Sequence, residues 1–241
     1  LFFGYSSKDF KLDASSDTLI LENDEDLKKY QEITKIYSTN EFLITTITSQ
    51  QNIIKDKNIQ LIRNFVNEVE SLAWVDSVQS ILDAPLLTIN NQSLTDLVNE
   101  ISTLETENID LLEAEYELLN SPIFRDLLIS KNAKTTGVLI NFKRNEKFEN
   151  LTEQRDRLKS KNSLSDQERE ELSLINALYE EEKIINDANR SKNIAQIREI
   201  INEYEESYKL EFHLGGVPMI ADDTISFVKN DIFIFGTGAF I

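Results

Sequence analysis

Side chains that could perform acid–base or metal chemistry are numerous in this chain, but they lack the spacing such chemistry needs. The 241 residues include 43 Asp and Glu, a single histidine, His213, and no cysteine. No second ligand or base can be paired with His213 from the sequence, so we expect it to be structural. Neighbouring carboxylates such as Asp222 and Asp223 follow from the abundance of acids and are typical of a solvated face. We therefore expect no catalytic residue, no cofactor and no metal ion, and a protein that is not an enzyme.

The charge balance argues against two classes of partner. The net charge is −18 and the isoelectric point is about 4.5. Nucleic acids and anionic membrane surfaces are bound by clustered Lys and Arg, and no basic stripe is present. With 40% hydrophobic residues, the chain can bury the core of one large domain or two small ones.

Both ends of the sequence are apolar, in contrast to the acidic remainder. These ends are Leu1–Tyr5 and residues 231–241. A membrane-spanning helix needs about 20 apolar residues, and no internal window approaches that length. We expect both ends to be stubs of transmembrane helices around an extramembrane loop; terminal core segments are the alternative.

A compact β-α-β unit is predicted in the first half of the chain. Residues 41–48 are rich in β-branched side chains and apolar on both faces, which is typical of a buried strand. Residues 75–81 form a second, more polar strand pattern. Between them, apolar residues recur at helical spacing: Ile59, Ile62, Phe65, Val66, Val69 and Leu72.

Further elements follow in the second half. Residues 93–120 have helical spacing, with Leu111, Leu112, Tyr116 and Leu119 on one stripe, and residues 127–129 and 135–142 flank a polar turn as in a β-hairpin. Residues 138–214 contain no glycine, which favours helix. A polar break at 159–163 and a capping box from Ser165 to Glu168 divide this stretch into a helical hairpin.

The last helix of the hairpin should return to the core and lead into a final strand. Its apolar stripe consists of Ile194, Ile197, Ile201, Tyr204 and Tyr208. Residues 211–214 form the strand, residues 215–218 (GGVP) a sharp turn, and Met219 begins a further helix. Four aromatic residues lie in or beside predicted core elements, which favours core packing over ligand contact: Phe42, Phe65, Trp74 and Phe142.

Three stretches together resemble the first extramembrane loop of exporters of the resistance-nodulation-division superfamily, in the branch with hopanoid exporters and mycobacterial large membrane proteins. They are DASSDTLILENDEDLKKYQEI from Asp13, EFLITTIT with WVDSVQSILDAPLL, and FHLGGVPMIADDTISFVKND. In that family the loop lies between the first and second transmembrane helices, on the periplasmic side. Two departures are Ala73-Trp74 before the second strand and a more acidic hairpin over residues 145–208.

The resemblance implies an α+β fold: a porter sandwich of ferredoxin-like β-α-β units with a long helical hairpin insertion. The implied order is an extended lead-in (1–40), the porter core (41–144), the hairpin (145–209), the last strand and turn (210–216), and the lead-in to the second transmembrane helix (217–241).

The implied function is the periplasmic porter domain of a proton-driven exporter of lipids or other hydrophobic molecules in the inner membrane. The protons would move through acids outside this sequence. Candidate substrate-path residues are Trp74, Phe142 and Phe42; Gly215, Gly216 and Pro218 are candidates for a hinge to the second transmembrane helix. Implied partners are a hydrophobic substrate, the second porter domain of the same protein and an accessory envelope protein, with no nucleic acid.

An interaction or lipid-sensing module of a non-transporting relative is the alternative. Exposed apolar positions at Ile194, Ile197, Ile201 and Tyr204 would favour that alternative, and burial of these positions would weaken it. An acidic soluble enzyme would need a cleft with perturbed titratable groups, and the sequence names no candidate.

Overall fold

The computed structural model describes Lys29 and residues 41–87, 101–161 and 163–238. The chain divides into two compact units, Asn40–Gly216 and a second unit that includes Val217–Ile241. The predictions for residues 1–28, 30–40, 93–100 and 239–241 lie outside the described residues.

The larger unit is built on a four-stranded antiparallel sheet. Its strands are β1 (Phe42–Thr48), β2 (Val75–Gln79), β3 (Thr135–Phe142) and β4 (Glu211–Gly215), in the spatial order β2-β3-β1-β4. Because β1 and β2 are both antiparallel to β3, they run parallel to each other. The predicted β-α-β unit is therefore confirmed, and β3 lies between its two strands. With its long helices, the protein is of the α+β class.

Helix α1 (Asp56–Glu70) joins β1 to β2 and covers one face of the sheet. Its buried apolar side chains are Ile59, Leu61, Ile62, Phe65, Val66 and Val69, which confirms the predicted helical spacing up to Val69. Leu72, the last predicted member of the stripe, lies in the turn after the helix and is half-buried. Phe65 is fully buried and packs against Tyr204 and Phe212, with ring centroids 5.4 and 5.2 Å away. This aromatic cluster joins α1, the sheet and the long helix that contains Tyr204 into one core.

The segment between β2 and β3 differs from its prediction. Helix α2 spans only Leu111–Asn120, because the Asp110 carboxylate accepts hydrogen bonds from the first backbone N–H groups. The predicted stripe is wrong: Ala114 and Leu118 are buried, whereas Leu112 and Tyr116 are 78% and 72% exposed. The predicted hairpin is half right, since residues 127–129 form turns joined to neighbours by isolated bridges.

The helical hairpin is confirmed. Helix α3 spans Glu146–Lys159 and helix α4 spans Asp166–Tyr208. The predicted capping box is present: the Ser165 hydroxyl accepts from the backbone N–H of Glu168, and the Glu168 side chain accepts from the backbone N–H of Ser165. At 43 residues, α4 is about 65 Å long, so one half pairs with α3 while the other packs on the sheet.

The second unit contains helix α5 (Val217–Gly238), which follows β4 almost directly. The predicted helix after the glycine turn is confirmed, and it begins two residues early because Pro218 is tolerated in a first turn. Within the described part of the chain, no helix is sufficiently long and apolar to cross a membrane.

Candidate functional site

Trp74 and Phe142 form an aromatic pair on the helix-covered face of the sheet. Their ring centroids are 4.8 Å apart, and Phe142 is only 7% exposed. The Trp74 indole N–H donates to the Gln196 side-chain oxygen at 2.9 Å, which ties the pair to α4. Two of the three residues predicted to line a substrate path are thus in contact, within a packed and hydrogen-bonded setting.

Phe42 lies on the opposite face of the sheet from Phe142. Its register partner on β3 is Asn141, and cross-strand partners point to the same side, so the next residue, Phe142, points to the other. Phe42 is 38% exposed. The three predicted lining residues therefore do not share one surface, because the register of β1 on β3 separates them.

The face that carries Phe42 is the open face of the sheet. Ile44, two residues along β1, is 42% exposed, and Leu139 is its partner on β3. We call Phe42, Ile44 and Leu139 the open-face apolar strip. It is the sheet surface on which an apolar ligand or a second sheet could pack.

Gly216 joins the sheet to α5 through a backbone conformation that demands glycine. Its φ is +127°, and a Cβ there would lie 2.8 Å from the Phe42 carbonyl oxygen and 3.2 Å from the Leu43 Cα. Gly215 is different: it pairs with Ile44 in the sheet, and a Cβ would meet nothing closer than 3.8 Å. Pro218 is buried in the first turn of α5. Of the predicted hinge glycines, only Gly216 is conformationally constrained.

The hairpin is held rigid by aromatic and ionic contacts between its two helices. Phe148 stacks on Tyr179 with centroids 5.2 Å apart, and the Arg155 guanidinium lies 3.8 Å above the same ring. Lys147 pairs with the buried carboxylate of Glu182. The hydrogen bond from Lys147, followed by that from the Asn145 amide, lowers the pKa of Glu182.

An ion pair anchors the base of the hairpin to the sheet. The Arg190 guanidinium donates to both carboxylate oxygens of Glu41, at 2.9 and 3.2 Å, and to Asp187 at 3.0 Å. Two parallel N–H···O bonds fix the direction of a side chain as well as its position. The half of α4 that pairs with α3, which we call the free arm because it does not pack on the sheet, is therefore held in a fixed orientation to the larger unit's core.

The predicted stripe on α4 is buried, with one exception. Ile194 and Ile197 are fully buried, Ile201 and Tyr204 are 7% and 8% exposed, and Tyr208 is 43% exposed. Exposure of these residues would have favoured an interaction module, so their burial weakens that hypothesis.

A different apolar surface, missed from the sequence, is exposed on the free arm of α4. Leu174, Leu178, Ile184 and Ile185 are 63%, 42%, 61% and 46% exposed, and Ala177 and Ala188 beside them are exposed too. Their spacings of three, four and seven residues place them on one broad side of the helix. We call these six residues the outer arc. The spacing of the arc is visible in the sequence. Residues 175, 179 and 182 have the same spacing and face α3, so spacing alone does not tell which of the two faces is exposed.

The titratable side chains of the described residues form no cluster suited to a metal ion. His213 lies on the open face with its imidazole Nε2 3.3 Å from a Glu211 carboxylate oxygen, and both side chains are well exposed. Such a surface pair contributes at most about 1 kcal/mol. Across the described ranges, no set of three or more His, Asp or Glu is grouped as a metal site would require.

Comparisons with protein-family models, with characterised proteins and with solved structures find no match to this chain.

Proposed function

We propose that this chain is the periplasmic porter domain of a proton-driven exporter of lipids or other hydrophobic molecules, of the resistance-nodulation-division type. The observation that carries the proposal is the connectivity of the larger unit. Its four strands have the antiparallel sheet order β2-β3-β1-β4, with α1 between β1 and β2, α2 between β2 and β3, and α3 and α4 between β3 and β4. Apart from α2 and the doubled last helix, this order is the one expected of a ferredoxin-like porter unit, and it supports the proposal. The α3–α4 hairpin occupies the place of the second crossover helix.

The far end of α5 supports the membrane part of the proposal. Four consecutive large apolar side chains, Ile232, Phe233, Ile234 and Phe235, are between 48% and 73% exposed. Four consecutive positions reach every side of a helix, and a helix that is apolar all round belongs in a protein core or a lipid bilayer. In this proposal α5 leads into the second transmembrane helix of an inner-membrane protein.

The join at Gly216 supports conformational coupling. β4 pairs with the central strand β1, and a single residue separates β4 from α5. A join of one residue leaves little chain to absorb a displacement, whereas a long loop would absorb it. We therefore propose Gly216, with Gly215 and Pro218 on either side, as the coupling point between the porter domain and the membrane helix.

Phe42 is the substrate-path residue that the geometry favours. It is exposed in the open-face apolar strip, where the second porter domain or a hydrophobic substrate would meet the sheet. Phe142 and Trp74 pack between the sheet and α4, on the face opposite Phe42. In this proposal they stabilise the sheet that carries Phe42 and do not contact the substrate.

Lipid analysis of the purified domain tests this proposal. We expect lipids to co-purify with the wild-type chain and to be detected by mass spectrometry, and we expect Phe42→Ser to reduce them several-fold. Leu112→Ser, which removes an exposed leucine of α2, is the matched control and should leave the lipid unchanged. Equal lipid content in Phe42→Ser and the wild type would refute the proposal that the open-face apolar strip contacts the substrate.

An interaction module in a non-transporting relative is the second candidate, because the outer arc of α4 is exposed. Two results together would favour this second candidate: no lipid co-purifies with the domain, and substitutions in the outer arc abolish the function of the parent protein.

A further inference from the structure

We propose that the outer arc of α4 is a docking surface for an amphipathic helix of another protein, one that places a Lys or Arg opposite Glu181. The inference rests on the exposed arc, its charges and the contacts that brace it, and it holds whether or not the parent protein transports a substrate.

The shape of the surface suits a helix. From Leu174 to Ala188 the arc runs for about 21 Å along α4, or four helical turns. Helix-on-helix recognition uses anchors at spacings of three, four and seven residues, which is the spacing of these side chains. The arc carries both large side chains (Leu178, Ile185) and small ones (Ala177, Ala188), and such a mixture provides ridges and grooves for a packed helix.

The surface is preorganised. The free arm of α4 is braced by the rings of Phe148 and Tyr179, by the Lys147–Glu182 pair and by the Arg190–Glu41 anchor. A partner therefore loses little affinity to the ordering of this face when it binds.

The charges select the partner. Glu181 lies in the middle of the arc and is exposed, and Glu170 lies at its end near the hairpin tip, next to Glu171, which is 4.0 Å from the Arg157 guanidinium. Lys192 lies beyond the opposite end and is exposed. A partner helix that matches this pattern carries basic residues opposite Glu181 and toward the tip, and an acidic residue toward the base.

The same charges disfavour a second copy of this chain. In a two-fold dimer centred on the arc, Glu181 of one copy faces Glu181 of the other, whether the helices run parallel or antiparallel. Like charges opposed across an apolar seam are destabilising. An anionic membrane surface is disfavoured for the same reason, since the arc carries carboxylates where basic residues would be needed.

A designed peptide serves as the probe. It is a 21-residue amphipathic helix with Leu at positions i, i+4, i+7 and i+11 and Lys beside the seam, labelled for fluorescence anisotropy and titrated with the full chain. We expect saturable binding that is lost with a scrambled peptide of the same composition. We also expect the double variant Leu178→Ser, Ile185→Ser to weaken it by at least about tenfold, with circular dichroism as the fold check.

Leu112→Ser is the control, because it removes an exposed leucine outside the arc, and its affinity should equal that of the wild type. A charge exchange tests Glu181: Glu181→Lys should weaken binding of the Lys peptide and strengthen binding of a peptide with Glu in its place. Binding that survives scrambling, or that ignores the double variant, would overturn the proposal as general attraction of a cationic peptide to an acidic protein.

Two further results would also overturn it. Self-association in analytical ultracentrifugation that Leu178→Ser, Ile185→Ser abolishes would assign the arc to a second copy. Flotation with phosphatidylglycerol or phosphatidylcholine vesicles that the same variant abolishes would assign it to lipid.

Discussion

Replacing Gly216 with alanine should be far more damaging than replacing Gly215, its neighbour. At Gly216 the φ of +127° lies in a region that L-residues occupy at a cost of about 1–3 kcal/mol. The added Cβ would lie 2.8 Å from one backbone atom and 3.2 Å from another, so part of β1 must shift, which costs about 1 kcal/mol or more. The sum for Gly216→Ala is about 2–4 kcal/mol of lost unfolding free energy.

Urea unfolding followed by the fluorescence of Trp74, the single tryptophan, measures this difference. Gly215→Ala is the matched control: its Cβ has 3.8 Å of room, its φ is not positive, and its unfolding free energy should change by less than about 1 kcal/mol. Equal losses in the two variants would refute the assignment of Gly216 as the constrained join.

Three further predictions concern the core and the hairpin. Thr45 is fully buried and its hydroxyl has no partner within the described part of the chain, so Thr45→Val should raise the unfolding free energy by about 1 kcal/mol in urea titrations. Phe142→Ala should lower it by about 3–5 kcal/mol, whereas Phe42→Ala should cost less than about 1.5 kcal/mol; similar losses would contradict the assignment of the two rings to different faces. Hydrogen bonds from Lys161, then from Ser165, lower the pKa of Glu168 from 4.5 to about 2. Because the folded-state pKa is depressed, the capping box stabilises the hairpin above pH 4.5 and this contribution fades as the pH falls toward 2; a carboxyl carbon titration by NMR, with Glu168→Gln as the variant lacking this step, measures the window.

Local signals in the sequence predict the elements that depend on few neighbours. The β1 strand pattern, the α1 spacing and the Ser165–Glu168 capping box each lie within a short window, and the structure confirms all three elements. The expected burial of β1 on both faces is wrong, because Phe42 and Ile44 are exposed on one face of the sheet. The stripe on α2 failed because leucines at four positions around that helix offer two possible faces. In the structure the buried face is the one that carries Ala114 and Leu118.

Relations that depend on register or backbone angle are not contained in such windows. Phe42 and Phe142 both fit strand patterns, and only the pairing of Phe42 with Asn141 places them on opposite faces. Gly215 and Gly216 are identical in sequence terms, and only φ distinguishes them. On α4 two apolar faces share one spacing, so the tertiary packing of α3 decides which one is exposed.

Membrane extraction of the parent protein tests the central claim most directly. The full-length gene product, tagged at its C-terminus and expressed from its own gene, would be followed through alkaline carbonate extraction and protease treatment of spheroplasts. The proposal predicts a carbonate-resistant protein whose residues 41–216 are cleaved from the periplasmic side. A product that carbonate releases, or one whose residues 41–216 are protected in intact spheroplasts and cleaved only after lysis, would contradict a periplasmic porter domain.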